Sequence, residues 1–225
     1  FDKENIQSTF TGHPLLEDQE KSKIDISQVI KKDKKFFSIY PGSRISEIKV
    51  LMPILFKFVK LMNEKYSDIF FIFHSTIEHS VLIKNFLLKE KFENCDVISD
   101  EKIKSDILKK SIFAVAKSGT ISLEICNAKV PSVIIYKMSK INFFIIKNLV
   151  KVKSPNIINI VADEEIIPEL LQSKCNPKDI FKTVDKLLND KNILEKQIAK
   201  SQEIINNFKK GNSSEIASAV LLNKL

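Results

Sequence analysis

Short apolar runs alternate along this chain with longer segments in which apolar residues recur every three or four positions. The run at 36–40 is aromatic and β-branched, and the run at 69–73 is continuously apolar, as is typical of a strand buried on both faces. Segments 45–66 and 77–92 follow these runs with the spacing of an amphipathic helix. The pattern therefore predicts two successive strand-turn-helix units.

The alternation continues with shorter elements. Strands are predicted at 96–98, 112–116, 132–136 and near 157–160, and helices at 104–110, 118–128 and from about 141. Strands that alternate with helices at this spacing specify a parallel sheet covered by helices on both faces, because the crossovers are right-handed. We therefore predict an α/β fold with a Rossmann-like domain over 36–176.

The two ends of the chain differ from this middle part. Segment 177–225 lacks strand patterns and predicts three C-terminal helices, divided near Asp190 and near 211–213. Segment 1–35 is interpreted as a linker from an N-terminal domain that the chain lacks, since it begins at Phe1 without an initiator methionine. We therefore expect that an N-terminal portion is absent.

Composition adds limits and few positive signals. The net charge of +8 would suit nucleic acid, an anionic membrane or phosphorylated substrates, but the lysines are scattered through predicted helices. We therefore predict no nucleic-acid partner. The three cysteines are far apart and form no CxxC pair, which argues against disulfides and thiolate metal sites and favours a reducing cytoplasm. No apolar run is long enough to span a bilayer.

Arginine and glycine are scarce, and both occur in the turn after the first predicted strand. Arg44 is the one arginine among 36 basic residues, and Gly42 and Ser43 precede it. A guanidinium offers a rigid fork of donors that matches phosphate or carboxylate, and a helix start adds backbone N–H groups. The turn therefore predicts an anion site, with an N-cap beside a surface arginine as the alternative.

A second glycine turn precedes the helix predicted at 118–128. Ser118, Gly119 and Thr120 are small enough for a diphosphate to approach the backbone, and Glu124 lies one turn further, where it could accept hydrogen bonds from a ribose diol. Ligands of open α/β sheets bind at the carboxyl ends of the strands, where both turns must lie. The pair predicts a nucleotide diphosphate site, whereas a capping box would explain the second turn alone. Neither a Walker loop nor a GxGxxG motif occurs.

The histidines suggest no catalytic arrangement. His74 and His79 flank a predicted helix start, but a third metal ligand is not apparent nearby, so we favour ordinary polar roles. His13 lies in a turn, where it could contact a ligand or cap a loop.

Six motifs in order resemble those of bacterial lipid-A-disaccharide synthases, which are GT-B glycosyltransferases of family 19. They are TGHPL at 11–15, PGSR at 41–44 with EI at 47–48, SGT at 118–120 with LE at 123–124, PSVIIY at 131–136, PN at 155–156 and PELLQ at 168–172. The resemblance covers essentially the whole chain, but only the carboxyl-terminal half of that two-domain architecture.

The resemblance implies a reaction and a set of roles. It implies inverting, metal-independent and cofactor-free transfer of 2,3-diacylglucosamine from its UDP donor to 2,3-diacylglucosamine 1-phosphate. Ser43 and Arg44, with Gly42, would contact the diphosphate, Arg44 as the catalytic group that stabilises the leaving group. Segment 118–120 would hold the phosphates and Glu124 the ribose. Further residues would contact the donor or order its loops: Asn156, Glu169 and Gln172.

The resemblance also implies what lies outside the chain. The general base and much of the acyl-chain and acceptor surface are expected in the amino-terminal half. The chain would then be an excerpt of a longer enzyme, one piece of a split gene that works with a separate amino-terminal half, or the product of a decaying gene. A homodimer is the alternative assembly. Lipid substrates imply peripheral association with the inner membrane, where the apolar and basic segment 141–153 could lie, unless it packs on the sheet. The alternatives are another UDP-sugar enzyme of the same fold, such as an epimerase or a peptidoglycan or Kdo glycosyltransferase, and a non-catalytic UDP-binding or interaction module.

Overall fold

The computed structural model describes residues 8–17, 34–138 and 154–222. Its strands are β1 (Lys35–Tyr40), β2 (Ile69–His74), β3 (Cys95–Ile98), β4 (Ser111–Lys117), β5 (Ser132–Tyr136) and β6 (Glu169–Leu171). Its α-helices are α1 (Ile45–Lys65), α2 (Ile77–Glu90), α3 (Glu101–Lys110), α4 (Ile121–Asn127), α5 (Ile157–Ala162), α6 (Pro177–Asn189), α7 (Lys191–Phe208) and α8 (Ser213–Leu222). A short 3-10 helix spans Pro14–Leu16.

The six strands form one parallel sheet in the order β3-β2-β1-β4-β5-β6. The chain builds outward from β1 in one direction and then restarts on its other side with β4. This reversal leaves the loops after β1 and β4 side by side, with Tyr40 opposite Ala116 in the register of the two strands. The predicted α/β fold with a Rossmann-like sheet and C-terminal helices is confirmed.

Helices cover both faces of the sheet, as the alternation of strands and helices requires. Successive residues of a strand point to opposite faces, so Phe113 and Val115 belong to one apolar cluster and Ala114 and Ala116 to the other. The first cluster includes residues of α1, α2 and α6, and the second includes residues of α4, α5 and α7. Each central strand is therefore buried on both faces.

Aromatic packing dominates the larger cluster. Phe37 of β1 is fully buried, and its ring centroid lies 5.3 Å from that of Phe113, 5.4 Å from that of Phe71 and 6.0 Å from that of Phe58. These rings join three neighbouring strands to the middle of α1. The carboxyl end of β1 is thereby held in place relative to β4.

The prediction of a strand near 157–160 was wrong, because this segment begins helix α5. The side chain of Asn156 caps the helix by accepting from the backbone N–H of Ile158 at 2.8 Å. Three isoleucines within four residues do not distinguish a strand from a short helix, whereas the Asn immediately before them was a capping signal. The last strand of the sheet is β6 instead.

The predicted three-helix tail is confirmed for residues 177–222, and its first two helices pack on the sheet domain. Asp185 of α6 accepts from Lys65 Nζ and from Tyr66 Oη, each at 2.6 Å. Gln197 of α7 bonds to both backbone groups of Ser132, accepting from N at 2.8 Å and donating to O at 3.0 Å. The tail therefore fixes the amino-terminal end of β5 as well as α1.

Residues 8–17, from the predicted linker, pack against the end of the tail. The N–H of His13 donates to Phe208 O at 3.2 Å, and Glu17 Oε1 accepts from the N–H of Ser213 at 2.8 Å. Leu16 is buried in the same cluster as α7. The predicted interfacial segment 141–153 lies outside the described residues, and within them no helix is long and apolar enough to cross a membrane.

Replacing Phe37 by Ala should lower the free energy of unfolding by about 3–5 kcal/mol, because a cavity opens among the buried rings. Urea denaturation of the two proteins measures the difference. Leu88→Ala, at a position with 74% exposure on α2, is the matched control and should change stability by less than about 0.5 kcal/mol. Equal costs at both positions would contradict this account of the core.

Candidate nucleotide site

The loops after β1 and β4 meet at a cleft of about 240 Å³. Six of the residues predicted from the sequence line it, namely Gly42, Ser43, Ser118, Gly119, Thr120 and Glu124. The far wall comes from the end of β2 and from α3, which the sequence did not single out for binding. The cleft therefore lies at the point where the strand order reverses, which is the usual ligand position in this kind of sheet.

The first turn is compact and depends on glycine. Gly42 has φ of +109°, and a Cβ there would lie 2.6 Å from Oε2 of Glu47, whose carboxylate folds back beneath the turn. Arg44 is the backbone N-cap of α1, and its side chain makes no capping hydrogen bond. That side chain is 78% exposed, is not among those lining the cleft, and places Nη1 3.4 Å from Glu47 Oε1. The predicted guanidinium fork thus lies beside the mouth of the cleft.

Lys117 is a cleft residue to which the sequence analysis gave no role. It ends β4, its side chain is 17% exposed, and its Nζ lies 2.9 Å from Glu47 Oε1 and 5.2 Å from the centroid of the Tyr136 ring. With 36 basic residues, almost all lysine, composition carries no signal for this one. Its position directly before the Ser118 turn, at the end of a buried strand, was the available signal.

Two serine side chains at the second turn donate hydrogen bonds to backbone carbonyls. Ser118 Oγ donates to Pro155 O at 2.8 Å, and Ser122 Oγ donates to Gly119 O at 2.9 Å. Thr120 is the N-cap residue of α4 but makes no side-chain capping bond, so the cap expected from a capping box is not formed. The turn lines the cleft with Ser118, Gly119 and Thr120, and the Thr120 hydroxyl is not used for capping.

Glu124 lies where a carboxylate is partly withdrawn from water. Burial raises its pKa, the negative charge of Glu101 raises it further, and the ammonium of Lys104 lowers it. Glu101 and Lys104 themselves form an ion pair of 2.6 Å on α3. A sheltered carboxylate at this wall is suited to accepting hydrogen bonds from hydroxyl groups.

His74 lines the cleft as a buried, neutral side chain. It is 3% exposed, its ring stacks on that of Tyr40 at a centroid distance of 4.2 Å, and its Nε2 lies 2.9 Å from Ser38 Oγ. Burial lowers the pKa of His74 to about 3, with a smaller contribution from the positive charge of Lys104. The described ranges contain no group of three or more His, Cys, Asp or Glu side chains that could hold a metal.

Asn156, Glu169 and Gln172 are not among the residues that line the cleft. Glu169 Oε1 accepts from the N–H of Asn156 at 3.1 Å and from Asn159 Nδ2 at 2.9 Å, and also from the hydroxyl of Ser154. This network orders the loop that leads into α5. The carbonyl oxygen of Pro155, in that loop, accepts a hydrogen bond from the hydroxyl of Ser118. The network therefore also stabilises the second turn.

A family model described as lipid-A-disaccharide synthetase matches residues 1–222. The chain belongs to this family. The lipid-A-disaccharide synthase of Sulfurihydrogenibium sp. (strain YO3AOP1) is 33% identical over 210 residues, which cover 86% of this chain and 53% of that protein. The chain thus spans about half the length of the curated relatives it matches.

Solved structures show the same fold in one half of larger proteins. The UDP-GlcNAc 2-epimerase from Neisseria meningitidis bound to UDP-GlcNAc matches with a TM-score of 0.60 at 16% identity, over 87% of this chain and 47% of that one. The C-terminal domain of a group 1 glycosyl transferase family protein from Francisella tularensis matches with a TM-score of 0.51 at 12% identity, over 77% of this chain and 85% of that one. The chain therefore has the fold of the carboxyl-terminal half of a GT-B protein.

The buried state of His74 predicts an acid-sensitive fold. The folded pKa of about 3 lies below the ordinary value of 6.5, so the unfolded chain binds the proton more readily. The contribution to stability is therefore complete above about pH 6.5 and is lost as the pH falls towards 3. Between pH 7 and pH 5 the chain should lose roughly 2 kcal/mol more than the His74→Phe variant.

Urea denaturation at a series of pH values measures this difference. His13→Asn is the control, because it removes a histidine outside the cleft and leaves His74 in place. It should keep the pH dependence that His74 causes. The same acid sensitivity in His74→Phe as in the unsubstituted chain would show that another group is responsible.

Proposed function

We propose that this chain supplies the donor-nucleotide half of a lipid-A-disaccharide synthase. The complete enzyme would transfer 2,3-diacylglucosamine from its UDP donor to the 6-hydroxyl of 2,3-diacylglucosamine 1-phosphate. The observation that carries the proposal is the cleft at the strand reversal, where the PGSR and SGT turns of this family meet. The epimerase of the same fold, bound to UDP-GlcNAc, supports a nucleotide-sugar ligand.

The roles of the residues follow from the geometry of the cleft. The diphosphate would lie against Gly42 and Ser43 at the start of α1, a helix of 21 residues whose dipole favours an anion. Gly119 and Thr120 would form the opposite side, and Glu124 would accept hydrogen bonds from the ribose hydroxyls. Arg44, at the mouth, would reach the phosphate that faces solvent.

Asn156 and Glu169 would act mainly by ordering the loop around Pro155, and Gln172 would contact the donor or order its loops. This interpretation is supported by the hydrogen bonds of Glu169 to that loop, and by the support the loop gives to Ser118. Contact of Asn156 and Glu169 with the donor sugar is the alternative.

Departure of UDP places negative charge on the diphosphate as the glycosidic bond breaks. Donors that already point at this charge lower the barrier, because they need not reorganise during the reaction. Arg44 is proposed as the catalytic group in this sense. The general base would come from the amino-terminal half on a separate polypeptide, and the lipid substrates would bring the assembly to the inner membrane surface.

A second candidate is a UDP-binding module without transfer activity. The observation that favours it is the span of the chain, which is about half that of its curated relatives. Both candidates require UDP to bind, so binding and transfer are tested separately.

The isolated chain should bind UDP, weakly, in isothermal titration. Glu124→Gln should weaken binding about tenfold, because an amide is a poorer acceptor for the ribose hydroxyls than a carboxylate. Glu195→Gln, an exposed carboxylate on α7, is the matched control and should bind like the unsubstituted chain. A chain that binds no UDP would refute the proposed nucleotide site.

Arg44→Lys should lower transfer by the assembled enzyme at least tenfold, since lysine keeps the charge but loses the bidentate fork. A donor-plus-acceptor assay with the amino-terminal half present measures the rate. Near-normal turnover of Arg44→Lys would remove the catalytic role. The chain alone should form no disaccharide in the same assay, and product from it would contradict the division of roles between the halves.

A further inference from the structure

The ammonium of Lys117 occupies an unusual position for a lysine in this chain. It ends β4 at the strand reversal, and its side chain is 17% exposed, compared with 78% for Arg44. Lys117 lines the cleft directly before Ser118. Two lysines thus line the cleft, Lys117 at the end of β4 and Lys104 on α3. Lys104 is paired with Glu101 at 2.6 Å, while Arg44 is not among the lining residues.

Two neighbours hold the Lys117 side chain in place. Glu47 Oε1 lies 2.9 Å from Nζ, and the face of the Tyr136 ring lies 5.2 Å from it. Glu47 is itself constrained, because its carboxylate lies beneath the Gly42 turn. An ammonium has three N–H donors, and the carboxylate and the ring face account for two. Among the residues that the structure describes, Glu47 and Tyr136 are the neighbours found for this ammonium, which leaves a third donor for a ligand in the cleft.

Glu47 also connects the two turns of the site. Its Oε1 is 3.4 Å from Arg44 Nη1 as well as 2.9 Å from Lys117 Nζ, so one carboxylate holds a cation from each turn. Its Oε2 is buried and has no hydrogen-bond partner among the described residues. One carboxylate does not neutralise both cations. Arg44, Lys117 and Glu47 together therefore carry a net charge of +1 next to the cleft.

We propose that Lys117 is a second diphosphate-binding cation of the cleft, with Glu47 and Tyr136 as its positioning residues. This inference rests on the proposed function, UDP binding in the cleft, and adds a residue to that site. Because Lys117 is largely withdrawn from solvent, its charge is screened less than that of an exposed side chain, so its effect on a bound phosphate should be large. It would act together with Arg44, each cation coming from a different turn.

Titration of the full chain with UDP, UMP and uridine tests the proposal. Lys117→Met keeps the length of the side chain and removes the charge. It should weaken UDP binding about tenfold or more, weaken UMP binding less, and leave uridine binding unchanged. Lys200→Met is the matched control, because Lys200 is also an ion-paired lysine but lies on α7, outside the cleft. This variant should bind all three ligands normally.

A double substitution separates positioning from folding. Glu47→Gln should weaken UDP binding more when Lys117 is present than in the Lys117→Met background, because part of its role passes through the ammonium and the rest through Arg44 and the Gly42 turn. A purely structural role of Glu47 would weaken binding equally in both backgrounds and would overturn the assignment to Glu47.

Amine acetylation of the unsubstituted chain provides a test that needs no variant to fold. UDP should slow the acetylation of Lys117, read by peptide mass spectrometry, and uridine should not. Equal protection by UDP and uridine, or a parallel loss of all three ligands in Lys117→Met, would overturn the assignment. Absence of UDP binding in the unsubstituted chain would overturn the proposed function together with it, whereas normal UDP binding by Lys117→Met would overturn this inference alone.

Discussion

The reversal of strand order between β1 and β4 is the constraint on which the rest of the site depends. A parallel sheet that grows outward from β1 on both sides must leave two neighbouring loops that turn away from each other, and a cleft opens between them. The stacked rings around Phe37 fix these strands against α1. The residues proposed to contact the nucleotide end or follow β1 or β4 in the chain, so the reversal brings them together.

The two walls of the cleft carry opposite charge. Glu47 draws Arg44 and Lys117 towards the first turn, and their combined charge favours an anion there. On the opposite wall the carboxylates of Glu124 and Glu101 outnumber the ammonium of Lys104, so this wall keeps a negative charge that suits hydroxyl groups better than phosphate. The proposed ligand, with a diphosphate at one end and a ribose at the other, matches this division of charge.

Sequence reasoning succeeded where a residue's role follows from its local environment. The apolar runs gave five of the six strands, and the two glycine turns identified six residues that line the cleft. It failed at 157–160, where the three isoleucines of a short, partly buried helix indicate a strand. It also did not select the wall formed by β2 and α3, because His74 and Lys104 stand in no motif and reach the cleft only through packing.

The sequence by itself determined the alternation of elements, the family and the two turns, because these depend on local spacing and on rare residues such as Arg44 and Gly42. Only the tertiary structure decided that the side chain of Lys117 lines the cleft and that of Arg44 does not. Arg44 is conspicuous in a lysine-rich chain, yet its side chain is largely in solvent, while Lys117 is inconspicuous and held at the reversal. The reason is physical: exposure and charge pairing depend on Glu47 and Tyr136, residues distant from Lys117 in the sequence, which the folded sheet brings against it.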